Sequence, residues 1–164
     1  MRCALATFAA FLALLFGTPV HAEDSGLELR VSCADEPACT FAGSDMRVDV
    51  EIFNTGSQAI GVPLALLRQR GPTIKLTNSG TEDSVFLRPN LANPSLKADL
   101  VAFEPSDSAT IPWVIMAVEL RQFGQQVVDV IADVSFRFPG EVRGAPVDVR
   151  VSQSIRIRET DGQD

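Results

Sequence analysis

Short stretches of alternating apolar and polar residues, set between clusters of Gly, Pro, Asn, Asp and Ser, recur along most of this chain. A period of two marks β-strands with one buried face. Leu27, Leu29, Val31 and Cys33 share one face, with Glu28, Arg30 and Ser32 on the other. Ala42-Gly43-Ser44-Asp45 turns the chain into a second strand, in which Met46, Val48, Val50 and Ile52 alternate with Arg47, Asp49 and Glu51. Asn54-Thr55-Gly56-Ser57 has the residues of a tight turn.

The middle of the chain is less regular. Ala59–Leu67 is apolar but broken by Gly61 and Pro63, which predicts an irregular edge strand. Thr73–Thr77 and Ser84–Leu87 read as short strands, and residues 88–99, with Pro89, Asn90, Asn93 and Pro94, as a long surface loop. Thr110–Met116 resumes extended structure, and Ala117–Phe123 fits either a helical turn or a crossover.

The last third alternates most strongly. Val128, Val130, Ala132, Val134, Phe136 and Phe138 form one face. After Pro139-Gly140 and a short loop, Val147, Val149, Val151, Ile155 and Ile157 form another. Charge predicts the register of this hairpin: Arg137 opposite Asp148, Asp129 opposite Arg156, Phe136 on Val149 and Val134 on Val151. Gln153 is the exception on the inward face, so it either turns outward on a bulge or is buried against a backbone group.

The N-terminus changes the domain picture. Arg2, the apolar run Ala4–Phe16, then Gly17, Pro19 and Val20-His21-Ala22 read as a signal peptide over residues 1–22, with a retained anchor as the alternative. The run is shorter than the ~20 residues of a membrane span, so no stable membrane insertion is expected after cleavage. The expected address is periplasmic or secreted. The predicted organisation is one domain over 23–158 and a flexible tail over 159–164. Removing 1–22 takes away Arg2 and leaves 21 acidic and 13 basic residues, a net charge of −8. So acidic a chain is a poor nucleic-acid or anionic-lipid binder. Cys33 and Cys39 remain, and in an oxidising compartment they are expected to form a disulfide.

Alternating strands in one antiparallel domain predict an all-β fold, an immunoglobulin-like β-sandwich of about seven strands. Gly43, the stretch Met46–Gly56 ending in Asn-Thr-Gly, and Phe103-Glu104-Pro105-Ser106-Asp107 are similar in texture to exported bacterial immunoglobulin-like domains. The antibody-type Cys…Trp…Cys order is absent, and without Tyr there is no tyrosine corner. That resemblance implies an architecture and not a role.

Chemistry is mostly excluded. His21, the one histidine, leaves with the signal, which removes His-dependent triads, His metal clusters and the usual neutral-pH base. The expectation is a non-enzyme without cofactor or metal. The acidic turns Asp35-Glu36 and Glu104–Ser108 lack calcium-loop spacing and read as turn chemistry. Arg68, Arg70, Arg150, Arg156 and Arg158 read as partners of acids on neighbouring strands, or as a contact for an acidic partner. Trp113 reads as a core residue. The expected role is a binding module whose partner is another protein. It would act through the edge at 59–70 or the loop 88–99, with Arg88, Asn90 and Leu91 as candidate contacts. Two other classes are a protease inhibitor using that loop and a structural component of a cell-envelope assembly.

Overall fold

The computed structural model describes residues 26–34 and 38–159. The predicted signal peptide, the Asp35-Glu36 turn and residues 160–164 lie outside the described residues. The chain is all-β and builds two sheets. In chain order the elements are β1 (Leu27–Cys33), β2 (Thr40–Phe41), β3 (Met46–Asn54), β4 (Ile60–Val62), α1 (Leu64–Arg70), β5 (Thr73–Asn78) and β6 (Ser84–Phe86). There follow a 3-10 turn (Pro94–Ala98), β7 (Val101–Phe103), β8 (Ser108–Ile115), α2 (Ala117–Leu120), β9 (Asp129–Val142) and β10 (Ala145–Glu159).

One sheet has three strands in the order β1-β3-β8, and the other has seven, in the order β2-β10-β9-β4-β7 with β5 also on β9 and β6 on β5. The apolar faces read from the sequence are the ones that meet. Val48, Val50 and Ile52 of β3, Val130, Ala132 and Val134 of β9, and Val149 and Ile157 of β10 join one buried cluster. Cys33 and Cys39 form a disulfide with Cα atoms 5.2 Å apart.

Ten strands are described where about seven were expected, because β2, β4, β6 and β7 are only two or three residues long. Segment 59–70 is not an edge. Its first part, β4, lies between β7 and β9, and its second part is helix. Pro63 sits where a helix begins, Leu64, Leu66 and Leu67 are buried, Arg68 and Arg70 fill the last turn, and Gly71 ends it. The undecided segment after β8 is the helical turn α2. Its first backbone N–H groups are taken by carboxylates: Glu119 Oε2 accepts from Met116 at 2.8 Å and Asp45 Oδ1 from Ala117 at 2.8 Å.

The β9–β10 hairpin corrects the expected register by two residues. Phe138 faces Val149, Phe136 faces Val151, Val134 faces Gln153, and Arg137 stands opposite Arg150. The turn is at Arg143-Gly144, with φ of +53 and +76, and not at Pro139-Gly140. Positive φ at both central residues is the two-residue hairpin geometry that matches strand twist, and it overrides charge in setting the register. The expected ion pairs still form, reaching diagonally: Arg137 bonds Asp148 at 2.9 Å and Arg156 bonds Asp129 at 2.7 Å. β10 also runs one residue into the predicted tail, and Glu159 is held there by Arg121 and by the N–H of Val128.

Bond phase shows what each edge of the small sheet offers. Ala34 N–H bonds Arg47 C=O, so even-numbered residues of β1 bond to β3 and Val31 N–H points away from it. Gln153 Oε1 accepts that N–H, so the inward-facing glutamine of β10 is bonded to the backbone of β1. Asn54 N–H bonds Asp107 C=O, so odd-numbered residues of β8 bond to β3. Pro112 therefore turns its donor-less nitrogen to the open edge, where a proline costs no ladder bond.

Candidate functional site

Trp113 lies on the inward face of β8 and is half-buried against the core. Its ring covers Gly71 at the end of α1: a Cβ on Gly71 would come within 2.1 Å of it. Glycine, with φ +73 here, permits both this backbone and this approach. Beside the indole runs a groove of about 850 Å³, lined by Pro72, Leu87, Trp113 and Met116 among others. Arg47 and Arg88 also border it, and neither has an ion-pair partner among the described residues. Trp113 thus packs on the core, as read from the sequence, and also forms a groove wall.

The loop 88–99 forms another wall, and α1 braces it. Asn90 N–H bonds the C=O of Arg70 at 2.9 Å, and Asn93 N–H bonds Gln69 Oε1 at 2.8 Å. Asn93 Oδ1 in turn accepts from Ser95 N–H at 3.1 Å, which starts the 3-10 turn. Between the two braces stands Leu91, 97% exposed. Of the three candidate contacts, Arg88 and Asn90 line the groove, while Leu91 projects from the loop between the bonded positions. Val114 and Met116 add exposed apolar surface at the end of β8. The sequence reading missed the groove because its walls come from β8, α1 and the loop, which no local pattern connects.

The charged stripe on the other sheet is internally satisfied. Asp129 receives Arg156, with Arg158 Nε 3.7 Å away, and the Arg156 hydrogen bond, foremost, holds its carboxyl down at about 2. Asp148 lies between Arg137 and Arg150, and the Arg137 hydrogen bond lowers its pKa. The Glu104–Ser108 turn uses its acid on itself, with Asp107 Oδ2 accepting Glu104 N–H at 2.8 Å. Among the described residues, no three His, Cys, Asp or Glu side chains gather as a metal site. No described helix is long and apolar enough to cross a membrane.

Fold and site together define an all-β chain of two sheets with a braced loop beside a tryptophan-walled groove. No protein-family model matches the chain, and no curated protein matches it in sequence. Among solved structures it is similar to Northeast Structural Genomics Consortium target SoR45, at 11% identity and a TM-score of 0.47, over 87% of this chain and 93% of that one. It is also similar to part of a β-glucosidase from Listeria innocua, at 11% identity and a TM-score of 0.35, over 81% of this chain and 16% of the enzyme. A putative late embryogenesis abundant protein matches at 14% identity and a TM-score of 0.33, over 79% of this chain and 70% of that protein.

Proposed function

We propose that the chain is an exported, non-enzymatic binding module of immunoglobulin-like architecture, which grips a partner protein with loop 88–99 and the groove beside it. The observation that supports this reading is Leu91, an apolar side chain held almost wholly in water by a backbone bonded on both sides. A loop ordered in advance spends little conformational entropy on docking, and an apolar tip gains from desolvation. After the signal there is no His and no Tyr, which leaves few groups for acid–base chemistry near neutral pH.

The test is affinity capture from envelope extract with the purified protein and its Leu91→Asp variant. A saturable partner that the variant retains at least about tenfold less well supports the reading, since Leu91 contributes nothing to the core. Identical capture by both proteins, or a catalytic turnover that survives purification, overturns it. The same braced loop also favours a protease inhibitor as the second reading. There the segment Arg88-Pro89-Asn90-Leu91 would enter an active site, and a protease panel would show inhibition lost in Leu91→Asp.

A further inference from the structure

A second depression, of about 360 Å³, is lined by Arg70, Lys97 and Arg137 together with apolar residues that include Phe138 and Pro146. We propose that it is a subsite for the carboxylates of a short acidic peptide segment, presented by the partner that loop 88–99 engages. The inference rests on the reading of that loop as a contact surface, because Lys97 belongs to the loop.

Three cations come together here from separate elements: the last turn of α1, the 3-10 turn and β9. The one acid lining the depression, Asp148, is already held by two arginines, Arg137 at 2.9 Å and Arg150 at 3.5 Å. Arg70 and Lys97 have no ion-pair partner among the described residues. The local charge is therefore positive on a chain whose formal net charge is −7. That contrast selects the ligand. A long polyanion or an anionic bilayer meets the repulsion of the whole molecule. A short acidic segment placed within about 8 Å of the site feels mainly the local cations, because salt screens the rest. Arg137 on Asp148 also shows that guanidinium–carboxylate geometry is accessible at this spot.

The probe is a hexaglutamate peptide titrated into isotopically labelled protein and followed by backbone amide shifts, with a hexaglutamine peptide and inorganic phosphate as comparisons. Shifts centred on Arg70, Lys97, Arg137 and Val147, lost with hexaglutamine and weakened at least tenfold in Arg70→Gln/Lys97→Gln, are expected. The affinity should fall as salt is raised. Both substituted side chains are exposed, so an unchanged melting temperature verifies the variant's fold, and shift mapping on the unaltered protein is independent of it. Shifts elsewhere, an unweakened double variant, or phosphate binding as tightly as the peptide overturns the proposal. Loss of hexaglutamate binding with partner capture still dependent on Leu91 is failure of the subsite alone, and retained hexaglutamate binding with capture independent of Leu91 is failure of the loop reading alone, so the two are told apart.

Discussion

Replacing Gly71 with alanine presses on the wall of the groove from behind. Gly71 ends α1 with φ +73 and ψ 176, a region that essentially only glycine adopts, so a side chain there costs about 1–3 kcal/mol before it touches anything. The new Cβ would lie 2.1, 2.2 and 2.7 Å from three carbons of the Trp113 ring. Relaxed carbon–carbon contacts begin near ~3.5 Å, so the indole must retreat by about 1 Å or more. Overpacking of that kind costs a further ~1–3 kcal/mol. Gly144 is the reference for positive φ without a clash: its φ is +76, but a Cβ there meets nothing within 4 Å. Gly144→Ala should therefore show only the backbone cost. Trp113 is the one tryptophan and there is no tyrosine, so indole fluorescence reports this ring without interference. Urea unfolding should place Gly71→Ala about 2 kcal/mol below Gly144→Ala. Only Gly71→Ala should shift native emission, to the red as the half-buried ring moves toward water. Equal destabilisation by both substitutions, with emission unchanged in Gly71→Ala, would refute the reasoning.

Asn54 is 1% exposed and donates from Nδ2 to the carbonyls of Gln58 and Phe103 while accepting from Gly56 N–H. Asn54→Asp sets a carboxylate against two carbonyl oxygens and should cost about 3 kcal/mol at neutral pH in urea unfolding; a loss below about 1 kcal/mol would contradict this bonding. Asp129 has its pKa lowered from 3.8 to about 2, so its contribution is full above pH 3.8 and is lost as pH falls through about 2. Asp129→Asn should accordingly be less stable than the parent at pH 7 and level with it only below pH 2, and a gap that persists there would count against the Arg156 pairing. Reducing Cys33–Cys39 should lower stability by about 2 kcal/mol, the loop-closure value for so small a ring; an unchanged urea midpoint in reductant would show that the bridge constrains nothing.

The inward faces of β1, β3, β9 and β10 were readable because alternation over many residues leaves a single way to bury them. The hairpin turn was not, because Pro139-Gly140 is a louder local signal than Arg143-Gly144. Only pairing with β10 shows that Pro139 lies within a continuous strand. Helix α1 did carry its own marks. Pro63 before it, arginines in its last turn and Gly71 after it are start and stop signals, but Gly61 and Pro63 equally fit a broken strand. Arg88, Asn90 and Leu91 were readable as loop residues. The loop's braces, Asn90 to Arg70 and Asn93 to Gln69, some twenty positions earlier, exist only once α1 has formed.

Pro112 has a consequence for how such a chain lives in a crowd. A bare strand edge is an invitation to any other extended chain, and the small sheet declines it at both ends: β8 shows a proline ring where a donor would be, and Val31 of β1 is already claimed by Gln153. Crowding or overproduction should not zip copies together along this sheet. Along this sheet, contacts with other molecules are then left to side chains, which differ from one sequence to the next, and not to the backbone, which every protein shares. On the proposed reading of loop 88–99, selection can rewrite its tip one residue at a time, changing the company the molecule keeps without reopening the question of how it folds.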